Sequence, residues 1–243
     1  VNPQFTLTSD TLRYNTATKV ANIVGPSDID SDENHIYSEL GYYYTQQGQA
    51  ELLNRSILTN EGKQLTGDSL FYDRNKGVGE AFFNVEFVDT ISKNMLTGNY
   101  CYYNQLTSYA FATDKAMAVD FSQGDSLFIH ADTLQMYTFN FNTDSVFREA
   151  RAYHKVRFYR TDVQGVCDSL VFSSKDSCLT MYRDPILWNK QQQLLGEQIM
   201  IYMNDSTIDW AHIQNQALSV ERLDSANYNQ VTGKEMKAFF KGK

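Results

Sequence analysis

Apolar and polar residues alternate along many short stretches of the chain, as they do in strands that bury one face. Within residues 67–72, Leu70 and Tyr72 fall on one face of a strand, and Ser69 and Phe71 fall on the other. Residues 153–159 and the second half of 81–88 alternate in the same way. The pattern predicts an all-β protein.

Helical periodicity is scarce along the chain. The best helix candidates are residues 189–195 and 234–240. We discount the first candidate because the repeat described next predicts a turn there.

One short motif recurs along the sequence. It begins with a small residue, which is followed by Asp, then by Ser or Thr, and then by Leu; an apolar residue lies two positions after the Leu. Copies begin at Ser9, Gly67, Gly124 and Cys167, an echo begins at Ala131, and weaker copies lie around Gly98, Gly196 and Gly233. The interval is roughly 30 residues, a spacing typical of repeat architectures. Glycine followed by Asp is turn chemistry, so we interpret each copy as a turn that leads into a strand. Stacked copies would place their Leu residues on one continuous apolar surface.

The predicted apolar face supplies the candidate ligand-binding residues. They are Leu12, Tyr14, Leu70, Tyr72, Phe83, Val85, Phe87, Leu127, Ile129, Leu134, Met136, Val156, Phe158, Leu170 and Phe172. These side chains either fill the core of a β-sandwich or line an apolar groove between two curved sheets, where acyl chains would bind. Strand parity alone does not separate the two possibilities.

Composition and charge narrow the classes of function. The chain has 243 residues, of which 42% are hydrophobic and 14% aromatic, so a packed core is expected. The net charge of −8 and the lack of a basic patch argue against a nucleic-acid partner. No apolar run approaches the roughly 20 residues that span a bilayer. Three cysteines cannot all pair within one chain, although a pair between Cys167 and Cys178 stays open beside buried thiols.

Two short motifs match the catalytic motifs of a hydrolase family. Residues 67–70 spell the nucleophile block of GDSL hydrolases, and residues 209–212 spell an Asp-x-x-His. We reject this hypothesis, because the block recurs whereas a nucleophile is a single residue, and because the α/β fold of those enzymes needs helices. No cofactor motif is present, and we predict a protein that is not an enzyme.

An acidic segment offers the only metal candidate. Asp28, Asp30, Asp32 and Glu39 match the ligand spacing of a calcium-binding EF-hand loop. Glu33 occupies the position where that loop requires glycine, so a solvated acidic loop is the favoured interpretation.

Five stretches together resemble a known family. They are residues 9–14, 25–29, 37–43, 65–73 and 185–188. They are similar to the OstA-like (organic solvent tolerance, LptA-like) proteins of lipopolysaccharide transport, particularly the long Bacteroidetes-type members. The resemblance implies a repeat-built, two-sheet β-jellyroll, or "β-taco", with an apolar interior. It implies a periplasmic or outer-membrane-associated protein that shields the lipid A acyl chains of lipopolysaccharide.

The resemblance also implies partners and an organisation. Partners would be lipopolysaccharide and other lipopolysaccharide-transport proteins, which join through open sheet edges, and head-to-tail self-association is expected. We predict a single elongated domain over residues 1–243. The last copy of the repeat begins at Val231, so we expect the natural chain to continue beyond Lys243. The rival hypothesis is a β-repeat scaffold with a closed core that binds partner proteins through its sheet edges.

Overall fold

The protein is all-β, as the alternation predicts. The computed structural model describes residues 6–30, 35–60, 62–91, 93–122, 124–140, 143–204 and 207–240, and every regular element within these ranges is a strand. None of these residues belongs to a helix long and apolar enough to cross a membrane. The hypothesis of a GDSL hydrolase required an α/β fold and is therefore wrong.

The chain forms two compact units, Val1–Ser122 and Gln123–Lys243. The described strands of the first unit are β1 (Thr6–Asn15), β2 (Val20–Asp30), β3 (His35–Tyr44), β4 (Gln49–Asn60), β5 (Lys63–Asp73), β6 (Val78–Asp89), β7 (Asn94–Asn104) and β8 (Tyr109–Asp120). Those of the second unit are β9 (Leu127–Phe139), β10 (Phe147–Arg160), β11 (Val163–Ser173), β12 (Cys178–Tyr182), β13 (Ile186–Asn189), β14 (Gln192–Leu195), β15 (Gln198–Asn204), β16 (Thr207–Arg222) and β17 (Tyr228–Phe239). The prediction of one elongated domain stays a prediction.

Each unit is an antiparallel meander. In the first unit every strand from β1 to β8 pairs with the next strand along the chain. In the second unit β9, β10 and β11 continue this order, and β11 then pairs with both β12 and β13. The short strands β14 and β15 each pair with a different part of β16, and β16 pairs with the final strand β17.

The long strands bend near their middle, where the pairing register shifts. In alternate strands the bend contains two consecutive non-glycine residues with positive φ. Pairs of this kind are Asn54–Arg55, Phe83–Asn84, Asp114–Lys115, His154–Lys155 and Asn215–Gln216. Such bulges turn a strand and change its direction. Each bent strand therefore contributes one half to each of two layers.

Copies of the recurring motif at Ser9, Gly67 and Cys167 lie at these bends and not at hairpin turns. Residues 67–68 lie inside β5, where its pairing with β6 shifts between Thr66 and Ser69. The expectation that each copy is a turn that leads into a strand is therefore wrong for the copies at Ser9, Gly67 and Cys167, whereas the copy at Gly124 precedes β9. The hairpin turns instead follow Asn15, Asp73 and Asn104, whose side-chain oxygens accept backbone N–H bonds from residues two and three positions on.

Polar side chains hold the outer side of each bend. Asp68 accepts a hydrogen bond of 2.8 Å from Asn84 Nδ2, and Arg55 Nη1 lies 3.5 Å from it. In the second unit Asp168 lies between His154, at 3.2 Å, and Arg183, at 3.1 Å. In these two copies the Asp thus binds the side chains of bend residues that neighbour it, which explains why Asp is found at these bends.

Small residues occupy the inner side of the bends. Ser27, Ser38 and Ser56 are almost fully buried there, and Ser38 hydrogen-bonds to Ser56 at 2.9 Å. A Cβ atom at Gly67 would lie 3.1 Å from Leu70 Cδ2 and 3.6 Å from Ala81 Cβ. The two layers of this unit therefore pack against each other on the inside of the bend.

Candidate functional site

The inner face of the first unit carries three apolar rows, each running across the strands from β1 to β8. The deep row is Leu12, Ile23, Gly41, Leu52, Leu70, Ala81, Cys101 and Ala112. The facing row, in the other layer, is Leu7, Ile29, Ile36, Leu58, Leu65, Phe87, Leu96 and Ala118. The rim row lies beyond the deep row and is Tyr14, Ala21, Tyr43, Ala50, Tyr72, Gly79, Tyr103 and Ala110.

This apolar band is closed at its depth and open along its rim. Ile23 and Leu70 of the deep row are 0% and 5% exposed. In contrast, Tyr14, Tyr72 and Tyr103 of the rim row are 47%, 37% and 47% exposed. Leu12, at the β1 end of the deep row, is 45% exposed. The facing row is half-buried from Ile29 to Ala118. The first unit therefore presents an accessible apolar strip above a packed floor.

The second unit encloses a filled core. Its deep row is Leu134, Ala152, Leu170, Met181, Ile199, Ile213 and Met236. Met181, Ile199 and Ile213 are fully buried. Phe158 pairs with Gly165 in the other layer, and the space where a Cβ atom of Gly165 would lie is bounded by the Phe158 ring and by Met181 Cε. Within the described residues of this unit, large side chains thus occupy the space between the layers.

Most of the predicted face residues lie on the inner faces. In the first unit these are Leu12, Tyr14, Leu70, Tyr72, Val85 and Phe87, with Val85 at the bend opposite Gly98. In the second unit Ile129, Leu134, Met136, Val156, Phe158, Leu170 and Phe172 share an inner face, and Leu127 begins β9 two positions before Ile129. Their contact with a lipid stays a prediction.

Phe83 does not lie on the inner face. It is a bend residue with φ of 57°, and its side chain is 63% exposed. The two positive-φ residues of this bulge interrupt the alternation, so Val85 points inward in place of Phe83.

Part of the strip consists of residues that strand parity did not single out. Tyr43 and Tyr103 belong to the rim row, and Leu58 and Leu65 belong to the facing row. A periodic signal was present for the tyrosines, because Tyr14, Tyr43 and Tyr72 are 29 residues apart. Pairs of strands, rather than the Asp motif, define that period.

The outer face of the first unit is aromatic, and two of its tyrosines, Tyr44 and Tyr100, contact carboxylates. Phe82 and Tyr100 pack with ring centroids 5.1 Å apart, and Tyr100 donates a hydrogen bond of 2.7 Å to Glu80. Burial and this carboxylate raise the pKa of Tyr100 to about 12. Glu51, Phe71 and Glu80 line a shallow depression of about 280 Å³ on this face, with Ser69, Leu70 and Phe82.

The cysteines are free thiols. Burial raises the pKa of Cys101 and of Cys167 to about 12, which opposes thiolate formation at neutral pH. Cys178 is less buried, and its pKa is also raised by desolvation. Cys167 and Cys178 are not joined, so the pairing that the sequence left open is absent from the structure.

The acidic segment does not form a metal site within the described residues. Asp28 and Asp30 both contact the ring of His35, at 3.4 Å and 2.8 Å. Glu39 accepts hydrogen bonds from Tyr37 and from Asn54, on the next strand. Asp32 lies outside the described residues. Across the described part of the chain, no three His, Cys, Asp or Glu side chains are grouped to hold a metal ion.

No protein-family model matches the chain, and no curated protein matches it. Among solved structures, the chain is similar to LptH, described as the LptA homologous periplasmic component of the conserved lipopolysaccharide transport device from Pseudomonas aeruginosa. The similarity has a TM-score of 0.37 and 16% sequence identity, and it covers 45% of this chain and 74% of that chain.

Proposed function

We propose that this protein is a periplasmic module that binds lipopolysaccharide and shields its lipid A acyl chains during transfer to the outer membrane. The observation that carries the proposal is the apolar strip of the first unit, which continues across the strands from β1 to β8 and stays open along its rim. The sequence stretches that resemble OstA-like proteins support the same function.

Binding to such a strip needs no chemical step. Burial of an acyl chain contributes about 0.8 kcal/mol per methylene, so ten covered methylenes contribute about 8 kcal/mol before the costs of association. Leu12, Tyr14 and Tyr72 supply exposed apolar surface for this contact. We therefore propose a carrier that holds lipid by contact area and is not an enzyme.

The test compares two leucines that differ in face. Leu12 lies on the inner face and is 45% exposed, whereas Leu40 lies on the outer face of β3 and is 38% exposed. Leu12→Glu places a carboxylate on the strip, and Leu40→Glu adds the same charge away from it. Circular dichroism and thermal unfolding first establish that both variants fold.

Binding of fluorescent lipid A is then measured for the wild type and both variants. We expect Leu12→Glu to weaken binding about tenfold or more, because burying an unpaired carboxylate beside acyl chains is costly. Leu40→Glu should bind as the wild type does. Equal affinities for all three proteins would refute the proposed site, and absence of binding by the wild type would refute the function.

A second candidate function is a scaffold that binds partner proteins through sheet edges. It is favoured by the filled core of the second unit and by β17, whose residues from Tyr228 to Glu235 are all exposed. Among the described residues β17 pairs only with β16, so its other edge offers unpaired backbone groups. Other transport proteins, or a second copy head-to-tail, would pair there.

The scaffold predicts concentration-dependent association that an edge substitution abolishes. Leu223 N–H donates to Asn227 O, and hydrogen-bonded pairs alternate in an antiparallel ladder, so the N–H of Val231 faces β16 and the N–H of Gln230 faces away from it. Proline at Gln230 would therefore block pairing at the free edge of β17 and keep the pairing with β16. Sedimentation velocity over a hundredfold concentration range measures the effect. A wild type that stays monomeric throughout would contradict self-association.

A further inference from the structure

We propose that the rim tyrosines of the first unit form a headgroup subsite that selects lipids with an acylated sugar head over fatty acids, which have no such head. This inference rests on the proposed lipid-binding function. The subsite consists of Tyr14, Tyr43, Tyr72 and Tyr103, one tyrosine from each strand pair.

The geometry of the rim is regular. Each tyrosine pairs across the sheet with a small residue, and the row alternates Tyr, Ala, Tyr, Ala, Tyr, Gly, Tyr, Ala. Adjacent strands lie about 4.8 Å apart, so neighbouring tyrosines are about 10 Å apart with a notch between them. A row of rings with notches suits a chain or sugar that lies between rings.

The hydroxyl groups on this rim differ from those on the outer face. Tyr100 donates to Glu80, and Tyr44 lies 3.5 Å from Glu51, so these outer hydroxyls already have carboxylate partners. Within the described residues, the hydroxyls of Tyr14, Tyr72 and Tyr103 have no hydrogen-bond partner, and all three side chains are well exposed. They are available as donors at the place where an apolar strip meets water.

Tyrosine suits such a boundary because its ring is apolar and its tip is polar. An acyl chain on the strip would contact the rings, and the oxygen atoms of its head would lie level with the hydroxyls. The far border of the facing layer is also polar: Lys63, Asp89, Asn94 and Asp120 form the row beyond Phe87 and Leu96. The strip is therefore bordered by polar groups in both layers.

The second unit lacks these donors at the equivalent positions. Its rim row is Met136, Ala150, Phe172, Leu179, Ile201, Ala211 and Ala238. No member of this row carries a hydroxyl, so contact there depends on apolar area alone. Head selection is accordingly assigned to the first unit.

The test removes three hydroxyls and keeps the rings. The triple variant Tyr14→Phe, Tyr72→Phe, Tyr103→Phe is compared with the wild type and with Tyr42→Phe, whose ring lies on the outer face between Asn22 and Glu51. The probes are bisphosphorylated lipid A, monophosphorylated lipid A and palmitate. Each hydroxyl that a head engages is worth about fivefold in affinity.

We expect the triple variant to bind both forms of lipid A about fivefold or more weakly, with palmitate affinity and the Tyr42→Phe control unchanged. A loss limited to the bisphosphorylated form would assign the contact to that phosphate and overturn the sugar-head assignment. Unchanged lipid A affinity in the triple variant, with binding intact, would overturn the subsite and leave the transport proposal standing. A wild type that binds none of the probes would overturn both.

Discussion

Substitution of Gly165 tests whether the interior of the second unit is filled. Gly165 lies in β11 opposite Phe158 of β10 and Leu187 of β13. A Cβ atom there would overlap the Phe158 ring at Cζ and Cε1 and would lie 3.0 Å from Met181 Cε. Alanine at this position must displace a ring that is packed between the two layers.

The expected loss follows from two opposing effects. Gly165 does not have a positive φ, so alanine fits the backbone and would otherwise stabilise the fold by about 0.4–1 kcal/mol. Overpacking of a filled core costs about 1–3 kcal/mol, and the overlap here involves a ring with little freedom to move. We expect Gly165→Ala to lower the free energy of unfolding by about 1–3 kcal/mol, which corresponds to about 2–4 °C in Tm per kcal/mol.

The assay is thermal and urea unfolding of the full chain, with Gly124→Ala as the matched control. A Cβ atom at Gly124 has no neighbour within 4 Å, so that variant should unfold as the wild type does. Adding Phe158→Leu to Gly165→Ala should cost less than the sum of the single changes, because the shorter side chain vacates the contested space. Equal Tm for Gly165→Ala and Gly124→Ala would refute a filled interior at Phe158.

Three further predictions concern the bends and the thiols. Asp68→Ala should lower the free energy of unfolding by about 1 kcal/mol in urea titrations, because Asn84 Nδ2 loses its acceptor, whereas Asp68→Asn should lose less. Hydrogen bonds from Ser169 and then from His154 lower the pKa of Asp168. Its contribution to stability is therefore present above about pH 4 and is lost as the pH falls towards the lower pKa of the folded state. Asp168→Asn should flatten that part of the profile of Tm against pH. With iodoacetamide at pH 8, Cys178 should react before Cys101 and Cys167, whose more buried thiols should react only after unfolding; mass spectrometry of digests reads the order, and equal rates would contradict it.

The alternation of apolar and polar side chains sufficed to predict an all-β protein. It did not identify every strand correctly. The helix candidate at residues 234–240 is wrong, because this segment pairs with β16 through Met236 and Ala238. Its Lys, Glu, Met and Ala residues favour a helix locally, and pairing overrides that preference. Residues 190–191 form the turn between β13 and β14, and residues 192–195 form β14, so the first helix candidate is strand and turn as well.

The alternation of side chains assigned most of the predicted residues to the correct face of their strand. It did not predict how much of each side chain is buried. Leu12 and Phe158 both lie on inner faces, yet Leu12 is largely exposed and Phe158 is 7% exposed. Leu12 lies on β1, which pairs only with β2 among the described residues, whereas Phe158 packs beneath the opposite layer. Coverage depends on the neighbouring layer, which a pattern within one strand does not encode.

In the first unit, one pair of adjacent strands forms a repeat of about 29 residues. Moving 29 residues along the chain from Tyr14 to Tyr43, or from Ala21 to Ala50, returns to the same row of the sheet and the same face. Insertion or deletion of one such hairpin would therefore leave every remaining side chain on its original face. It would change the length of the apolar strip by about 10 Å, which is two strand spacings. A meander built in this way can change its span in fixed steps by gene duplication, with no new bend, turn or packing contact to evolve.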